Sequence, residues 1–245
     1  VSVAATVIPD CGVVIVAAGL GLRMGGTEPK QLRPLDGLPL FLWSARFFDV
    51  CAAVREIVIV APPALTGWMT TLCVRHSISR LRGVVAGGAR RQDSVATGVA
   101  ALSPGCVLAA VHDAARPFPP RNFEEGLAAA RRHGGAVFGH PVSDTIKAAQ
   151  EGRVMRTIAR TGLWCVQTPQ IFRREVLADA LVHCRREGIE VTDDAAAVEA
   201  VSGTVCMVPG SRWNMKVTVA EDWIAAQALA RVFGVPSSRP VEEQP

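Results

Sequence analysis

The chain has 245 residues, 49% of them hydrophobic and 20% charged, with a net charge of +4. An apolar content near one half excludes a globally disordered chain, and the length suffices for one α/β domain with a substantial core. The basic residues are scattered, tyrosine is absent and aromatic residues make up only 5%, so neither a stacking platform for RNA or single-stranded DNA nor any nucleic-acid partner is expected.

Short β-branched runs alternate with amphipathic stretches through the first half. GVVIVAAG (12–19) is predicted as a buried strand, and a helix follows near 39–50. REIVIVAPP (55–63) is a second strand, followed by a helical segment and the strand GVVAGG (83–88). SVATGVAAL (94–102) is a helix with Asp93 or Ser94 as its N-cap, and CVLAAVHDAARP (106–117) is another strand. A helix over 121–134 ends on glycine, and GGAVFGHPV (134–142) is a strand. The rhythm then breaks: DTIKAAQEGRVMRTIAR (144–160) has two strand-like pieces around Gln-Glu-Gly, a hairpin projecting from the sheet. Helices over 173–188 and 193–203 and the strand VCMVPG restore the alternation, and Thr218-x-x-Glu221 has the form of a capping box opening a last helix to about Phe233.

Strands buried on both faces and separated by helices predict an α/β fold: a Rossmann-like, mostly parallel twisted sheet flanked by helices, with a projecting β-arm at about 141–162. Residues 1–235 form one expected domain, and the Pro-, Ser- and Glu-rich stretch 236–245 a disordered tail. The cysteines at 11, 51, 73, 106, 165, 184 and 206 form no C-x-x-C pair, and most lie in apolar runs; they suit reduced core residues of a cytoplasmic protein. The run CGVVIVAAGLGL is only 12 residues long and broken by glycine, too short to span a membrane, so no membrane partner is expected.

Ligands of open parallel sheets bind beyond the carboxyl ends of the strands. There the first strand delivers AAGLGLRMGGTEPK (17–30). This stretch begins a G-x-G-x-x-G fingerprint without completing it, and has Thr27-Glu28 where a P-loop carries Lys-Ser/Thr. Small residues let backbone N–H groups approach a polyphosphate, while Arg23 adds a planar fork and Lys30 a mobile point charge. A tight turn with solvated charges is the competing reading. GGARRQDSV (87–95) is either a cap and turn or a loop whose backbone reads a base, with Ser94 adding a hydroxyl and Arg91 orienting the loop. In HDAARPF (112–118), Asp113 suits a hydrated cation or a sugar hydroxyl. His112 points to the other side of the strand and is expected to be structural. Asp193-Asp194 suits a helix N-terminus better than a metal site. No Cys/His nucleophile pair and no G-x-S-x-G elbow is present, which argues against a covalent hydrolase.

In order, the motifs AAGxGxRM…PKQ, GGxxRQDSV, HDAARP, DTIK, RxGLWxxQTPQxF, TDDA and NxKVTxxED, spanning about 13–225, resemble the 2-C-methyl-D-erythritol 4-phosphate cytidylyltransferases of the non-mevalonate isoprenoid pathway. The resemblance implies that CTP and a polyol phosphate, methylerythritol phosphate, give a CDP-alcohol and pyrophosphate, with Mg²⁺ or another divalent cation as cofactor. It also implies a homodimer whose arm reaches into the neighbour's site. Ala17, Ala18, Gly19, Gly21 and Lys30 would hold the CTP phosphates and sugar, and Gly88, Ser94 and Ala114 would complete the nucleotide site. Arg23 and Lys30 would stabilise the pentavalent α-phosphorus. Lys216 and the partner's Arg160 would grip the incoming phosphate. The partner's Thr145, with Asp113, Arg116, Thr168 and Thr192, would contact the alcohol or its phosphate. Asp113 is the candidate metal contact, through water, with Mg²⁺ held mainly by the triphosphate. Ala89 stands where some relatives carry an acid, which leaves the base or ribose to backbone readout. With only a short polar stretch after Phe233, no fused cyclising enzyme is expected in this chain.

Three alternatives stay open at this level: a ribitol 5-phosphate cytidylyltransferase, a sugar-1-phosphate nucleotidyltransferase sharing the first loop, and an inactive nucleotide-binding scaffold. Attack by an already ionised substrate phosphate needs no protein nucleophile; it needs positioned cations where two anions meet. Lys30→Ala and Arg23→Ala are therefore each expected to lower kcat on the order of 10²-fold or more with the fold retained. Steady-state pyrophosphate release beside circular dichroism checks this, and wild-type-like turnover in either variant overturns it.

Overall fold

The computed structural model describes residues 9–19 and 29–235; the tail expected at 236–245 lies outside them. Among the described residues the first element is β1 (Cys11–Val16), and from Lys30 there follow a 3-10 turn (Lys30–Leu32) and a small hairpin of β2 (Pro34–Leu35) and β3 (Leu38–Pro39). Then come α1 (Leu40–Asp49), β4 (Val54–Ala61), α2 (Thr66–Arg75), β5 (Leu81–Ala86), α3 (Arg91–Ala100), β6 (Leu108–Asp113), α4 (Phe123–His133) and β7 (Gly135–Pro141). The second half holds β8 (Ile146–Gln150), β9 (Arg153–Ile158), β10 (Trp164–Arg173), α5 (Arg174–Arg186), α6 (Asp194–Ala200), β11 (Cys206–Pro209) and α7 (Ala220–Phe233).

Seven of these strands form one sheet in the order β11-β7-β10-β6-β1-β4-β5. β1 runs parallel to both β4 and β6, β4 parallel to β5, and β11 parallel to β7. β1 has no polar alternation because both of its faces are covered. Val13 and Ile15 enter a core with Trp43, Phe48, Ile57 and Ile59, under α1, α2, α4 and α7. Val14 enters the opposite core with Val58, Val60, Val95 and Val99, under α3, α5 and α6. The mostly parallel α/β sheet flanked by helices is thus as expected, and among the described residues no helix is long and apolar enough to cross a membrane.

Four local expectations change. LWCVQTPQIF, for which no strand was foreseen, lies mostly in β10, which runs antiparallel between β6 and β7. Its pairing with β7 breaks between Val166 and Gln170. Helix α3 begins three residues earlier than expected, so Asp93 and Ser94 lie inside its first turn rather than at the N-cap. Asp93 instead reaches back to accept from the Arg90 N–H at 3.2 Å, the task of an acid in the third helical position. The last helix is closed by Asp222 rather than Glu221: one Asp222 oxygen accepts from Thr218 N–H (2.7 Å), Thr218 Oγ1 (2.6 Å) and Val219 N–H (3.0 Å). The helix expected over 193–203 stops at Ala200.

The expected arm is present as β8 and β9, an antiparallel pair in its own two-stranded sheet with Ile146 opposite Ile158. Glu151 and Gly152 both have positive φ, 48° and 77°, the pattern of a two-residue hairpin turn matched to strand twist. The arm's side chains are mostly exposed, Val154 and Met155 among them. At its root, Val142 N–H bonds Leu163 O at 3.0 Å and Arg160 donates to Ser143 O.

Gly98 fixes how closely α3 sits on the sheet. A Cβ there would lie 2.3 Å from Val14 Cγ1 and 2.8 Å from Val60 Cγ2. Gly98→Ala is therefore expected to cost about 1–3 kcal/mol through overpacking, despite the helix propensity of alanine. The urea midpoint should fall at unchanged m-value; an unchanged or higher midpoint contradicts the packing argument.

Candidate active site

Three parallel strands of the sheet end at one cavity. Ala17, Ala18 and Gly19 leave β1, Gly88 and Ala89 follow β5, and Asp113, Ala114 and Ala115 close β6. Lys30, Arg91, Ser94, Lys216 and Thr218 also line this space of about 550 Å³. Gly87, just before it, has no room for a side chain: a Cβ would lie 2.5 Å from that of Ala18 and 2.8 Å from Ser94 Oγ. The loops after β1 and β5 therefore touch. Ser94 Oγ accepts from the Gly88 N–H at 3.1 Å and donates to Arg90 O at 3.2 Å, which holds the glycine loop against α3.

Charge is concentrated around Asp113. Its Oδ2 lies 2.7 Å from Lys216 Nζ, and its Oδ1 lies 3.3 Å from Arg91 Nε. Burial works to raise the Asp113 carboxyl, but Arg91, Lys216 and Arg116 outweigh it and hold the group well below the usual carboxylate range. Arg91 turns its other edge to Asp194 at the start of α6, with bonds of 3.0 and 2.9 Å. Burial lowers the Arg91 guanidinium, yet Asp194 and Asp113 together raise it above its ordinary value. Asp194 itself is enclosed, and burial raises its carboxyl against the pull of Arg91. Asp193 is the N-cap of α6, accepting from Ala196 N–H at 2.9 Å.

Backbone carbonyls and a buried amide draw the remaining segments together. Lys30 Nζ donates to Val217 O at 2.7 Å, and Val217 N–H donates to Ala115 O at 2.8 Å. Gln31 Nε2 donates to Ala17 O at 2.7 Å. Asn214 is wholly buried; its side-chain amide donates to Thr168 O at 2.7 Å, and its backbone carbonyl accepts from Arg116 at 2.7 Å. His112, on the other side of the strand from Asp113, is wholly buried against Phe48, and burial pushes it down to about 4.

Of the residues singled out from sequence, Ala17, Ala18, Gly19, Lys30, Gly88, Ser94, Asp113, Ala114 and Lys216 meet at the cavity. Gly21 and Arg23 lie outside the described residues. Arg116 and Thr168 sit directly behind the wall: the Thr168 hydroxyl accepts from the Asp113 N–H at 3.0 Å. Thr192 is exposed beside α6. Thr145 and Arg160 are on the arm and do not line this chain's cavity. Gln31 and Thr218 line it unforeseen, although both stood inside quoted motifs, PKQ and NxKVT.

Among the described residues no group of three or more His, Cys, Asp or Glu side chains stands together to hold a metal ion. Asp113 is an oxygen donor at the cavity, but each of its oxygens already faces a cation. Such a wall fits Mg²⁺ that keeps its waters and rests mainly on substrate phosphates, rather than a cage of protein ligands.

The family model of IspD, 2-C-methyl-D-erythritol 4-phosphate cytidylyltransferase, matches residues 11–232. The chain belongs to the 2-C-methyl-D-erythritol 4-phosphate cytidylyltransferase family. The relative bearing that name in Pelotomaculum thermopropionicum is 39% identical over 221 residues, 89% of this chain and 93% of that protein. The one from Syntrophotalea carbinolica is 40% identical over 225 residues, 89% of this chain and 94% of its own length. The crystal structure of the Thermus thermophilus cytidylyltransferase superposes with a TM-score of 0.73 at 33% identity, covering 89% of this chain and 98% of that one. Membership makes this chain a nucleotidyltransferase of the non-mevalonate isoprenoid pathway.

Arg91 is the electrostatic hinge between α3, β6 and α6. Arg91→Ala leaves the enclosed Asp194 carboxylate without its partner, a loss expected to cost roughly 3–5 kcal/mol. The Asp194 carboxyl, protonated more readily in the folded than in the unfolded chain, then makes the variant more stable as pH falls from 7 toward 5. Urea denaturation at both pH values checks this. A cost below about 1 kcal/mol with no stabilisation on acidification contradicts it.

Proposed function

We propose that the cavity holds CTP with its triphosphate along Ala17–Gly19 and its cytidine toward Gly88, Ser94 and Ala114. The activity is that of a 2-C-methyl-D-erythritol 4-phosphate cytidylyltransferase. The observation that carries the detailed reading is that three cations line one cavity at the ends of β1, β5 and β6: Arg91 and Lys216 paired with Asp113, and Lys30 held on Val217 O. A phosphate oxygen of methylerythritol phosphate attacks the α-phosphorus of CTP in line. A P–O bond forms to that phosphorus, the bond to the β-phosphate bridge breaks, and the electron pair leaves with pyrophosphate.

The substrate phosphate is already largely ionised at neutral pH and needs little help from a base. The barrier lies in bringing two anions together and in the charge that moves onto the leaving group. Lys30, tethered to Val217 O, and Arg23 of the glycine loop are assigned to the α-phosphorus. Lys216, anchored on Asp113, is assigned to the incoming phosphate. Asp113, Arg116, Thr168 and Thr192 serve the alcohol side, Thr168 by holding the Asp113 backbone. A divalent cation such as Mg²⁺, bound among the triphosphate oxygens, would neutralise charge on the departing pyrophosphate, with Asp113 as its protein-side contact through water.

Residues 1–235 are assigned to one nucleotidyltransferase domain, a reading supported by cores on both faces of one sheet. The exposed arm supports a homodimer in which Arg160 and Thr145 complete the neighbour's site, since neither lines the cavity of its own chain. Seven cysteines, none in a disulfide, support a reducing, cytoplasmic setting.

Pyrophosphate release from CTP is expected with methylerythritol phosphate and not with ribitol 5-phosphate; the reverse would assign the chain to the sister activity. CTP binding without turnover of either acceptor would indicate a scaffold. Arm exchange predicts that Arg160→Ala and Lys216→Ala, each inactive alone, regain activity when unfolded together and refolded as a mixture. Mixed dimers then contain one intact site. No regain despite mixed dimers rules the exchange out.

A further inference from the structure

His112 belongs to none of the binding surfaces described above, yet its ring nitrogens reach the segment that carries Asp113 and Arg116, one directly and one through Thr168. Nε2 lies 2.9 Å from Arg116 O, and a carbonyl only accepts, so Nε2 carries the proton. In a neutral ring Nδ1 is then an acceptor, so the Thr168 hydroxyl, 3.3 Å away, donates to it. That direction leaves Thr168 Oγ1 to accept from the Asp113 N–H at 3.0 Å. The chain runs in one sense: Asp113 N–H to Thr168 O–H to Nδ1, and Nε2–H to Arg116 O. It closes on itself, because Arg116 N–H donates to Asp113 O at 2.9 Å. Phe48 meets the imidazole edge to face, with ring centroids 5.2 Å apart, and holds its plane.

We propose that His112 is a positioning residue for cytidylyl transfer, setting Asp113 and Arg116 through a single neutral Nε2–H tautomer. The inference rests on the functional reading above, in which both residues serve the alcohol phosphate. The two nitrogens act on different ends of the segment. Nδ1, through Thr168, holds the end from which Asp113 anchors Lys216, and Nε2 holds the carbonyl of Arg116. A hydrophobic residue of the same size would fill the space and make neither bond.

Two amide variants separate the halves. His112→Gln keeps a donor near the Nε2 position, and His112→Asn keeps an acceptor near the Nδ1 position. Each is expected to lower kcat/KM for methylerythritol phosphate about tenfold, the equivalent of ~1.4 kcal/mol, while KM for CTP moves less than about twofold. Urea denaturation supplies the folded fraction by which rates are normalised. Nitrogen NMR of the wild-type protein is expected to show His112 as the Nε2–H tautomer. The proposal is overturned if the ring carries its proton on Nδ1, if both variants match wild-type kinetics, or if activity merely tracks the folded fraction. Failure of the wild-type protein to release pyrophosphate refutes the functional reading instead, and with it the catalytic part of the role, while the NMR arm still decides the tautomer.

Discussion

The carboxylate of Asp113, clasped by Lys216 on one oxygen and Arg91 on the other, is the contact on which the site depends. A carboxylate so enclosed would be unfavourable alone, and the cations would repel one another if the acid were removed. Together they draw α3, the end of β6 and the segment before α7 into register. The cost of burying charge is offset by local pairing, and what remains on the cavity side is a positive rim suited to a polyphosphate.

The sheet topology explains why these groups can meet. β1, β4, β5 and β6 run parallel, so their carboxyl ends face the same way and their loops share one crevice. Antiparallel β10 then passes beside β6. Where its pairing with β7 lapses, Gln167 and Thr168 turn to Asn214 and Asp113 instead of continuing the ladder. An interruption in a strand is here a way of aiming side chains at a neighbouring site.

Most of the fold was legible because buried parallel strands have a plain signature, unbroken apolar runs such as GVVIV and IVIVA. Strand β10 was not, because Pro169 and the polar residues around it disguise a strand that leaves its ladder there. The helix start at Arg91 was misplaced because Asp93 caps from inside the helix, and a sequence does not tell such an acid from a true N-cap. The box of the last helix was set one residue early, on Thr218 and Glu221, because the adjacent acids Glu221 and Asp222 suit that task equally in sequence. The cavity-lining small residues and lysines were legible from motif order. The pairings were not: Asp194 gave no sign that it would bind Arg91, 103 residues away, because only tertiary packing brings them together.

The bond from Lys30 to Val217 spans 187 positions of the chain, and Lys216 sits beside its far end. During synthesis the glycine loop and strands β1, β5 and β6 emerge long before the segment that completes their cavity. A ribosome-bound chain that stops before residue 216 therefore lacks both the Val217 carbonyl that accepts from Lys30 and the Lys216 cation paired with Asp113 Oδ2. The cavity is thus completed only when the segment around 216–218 is added.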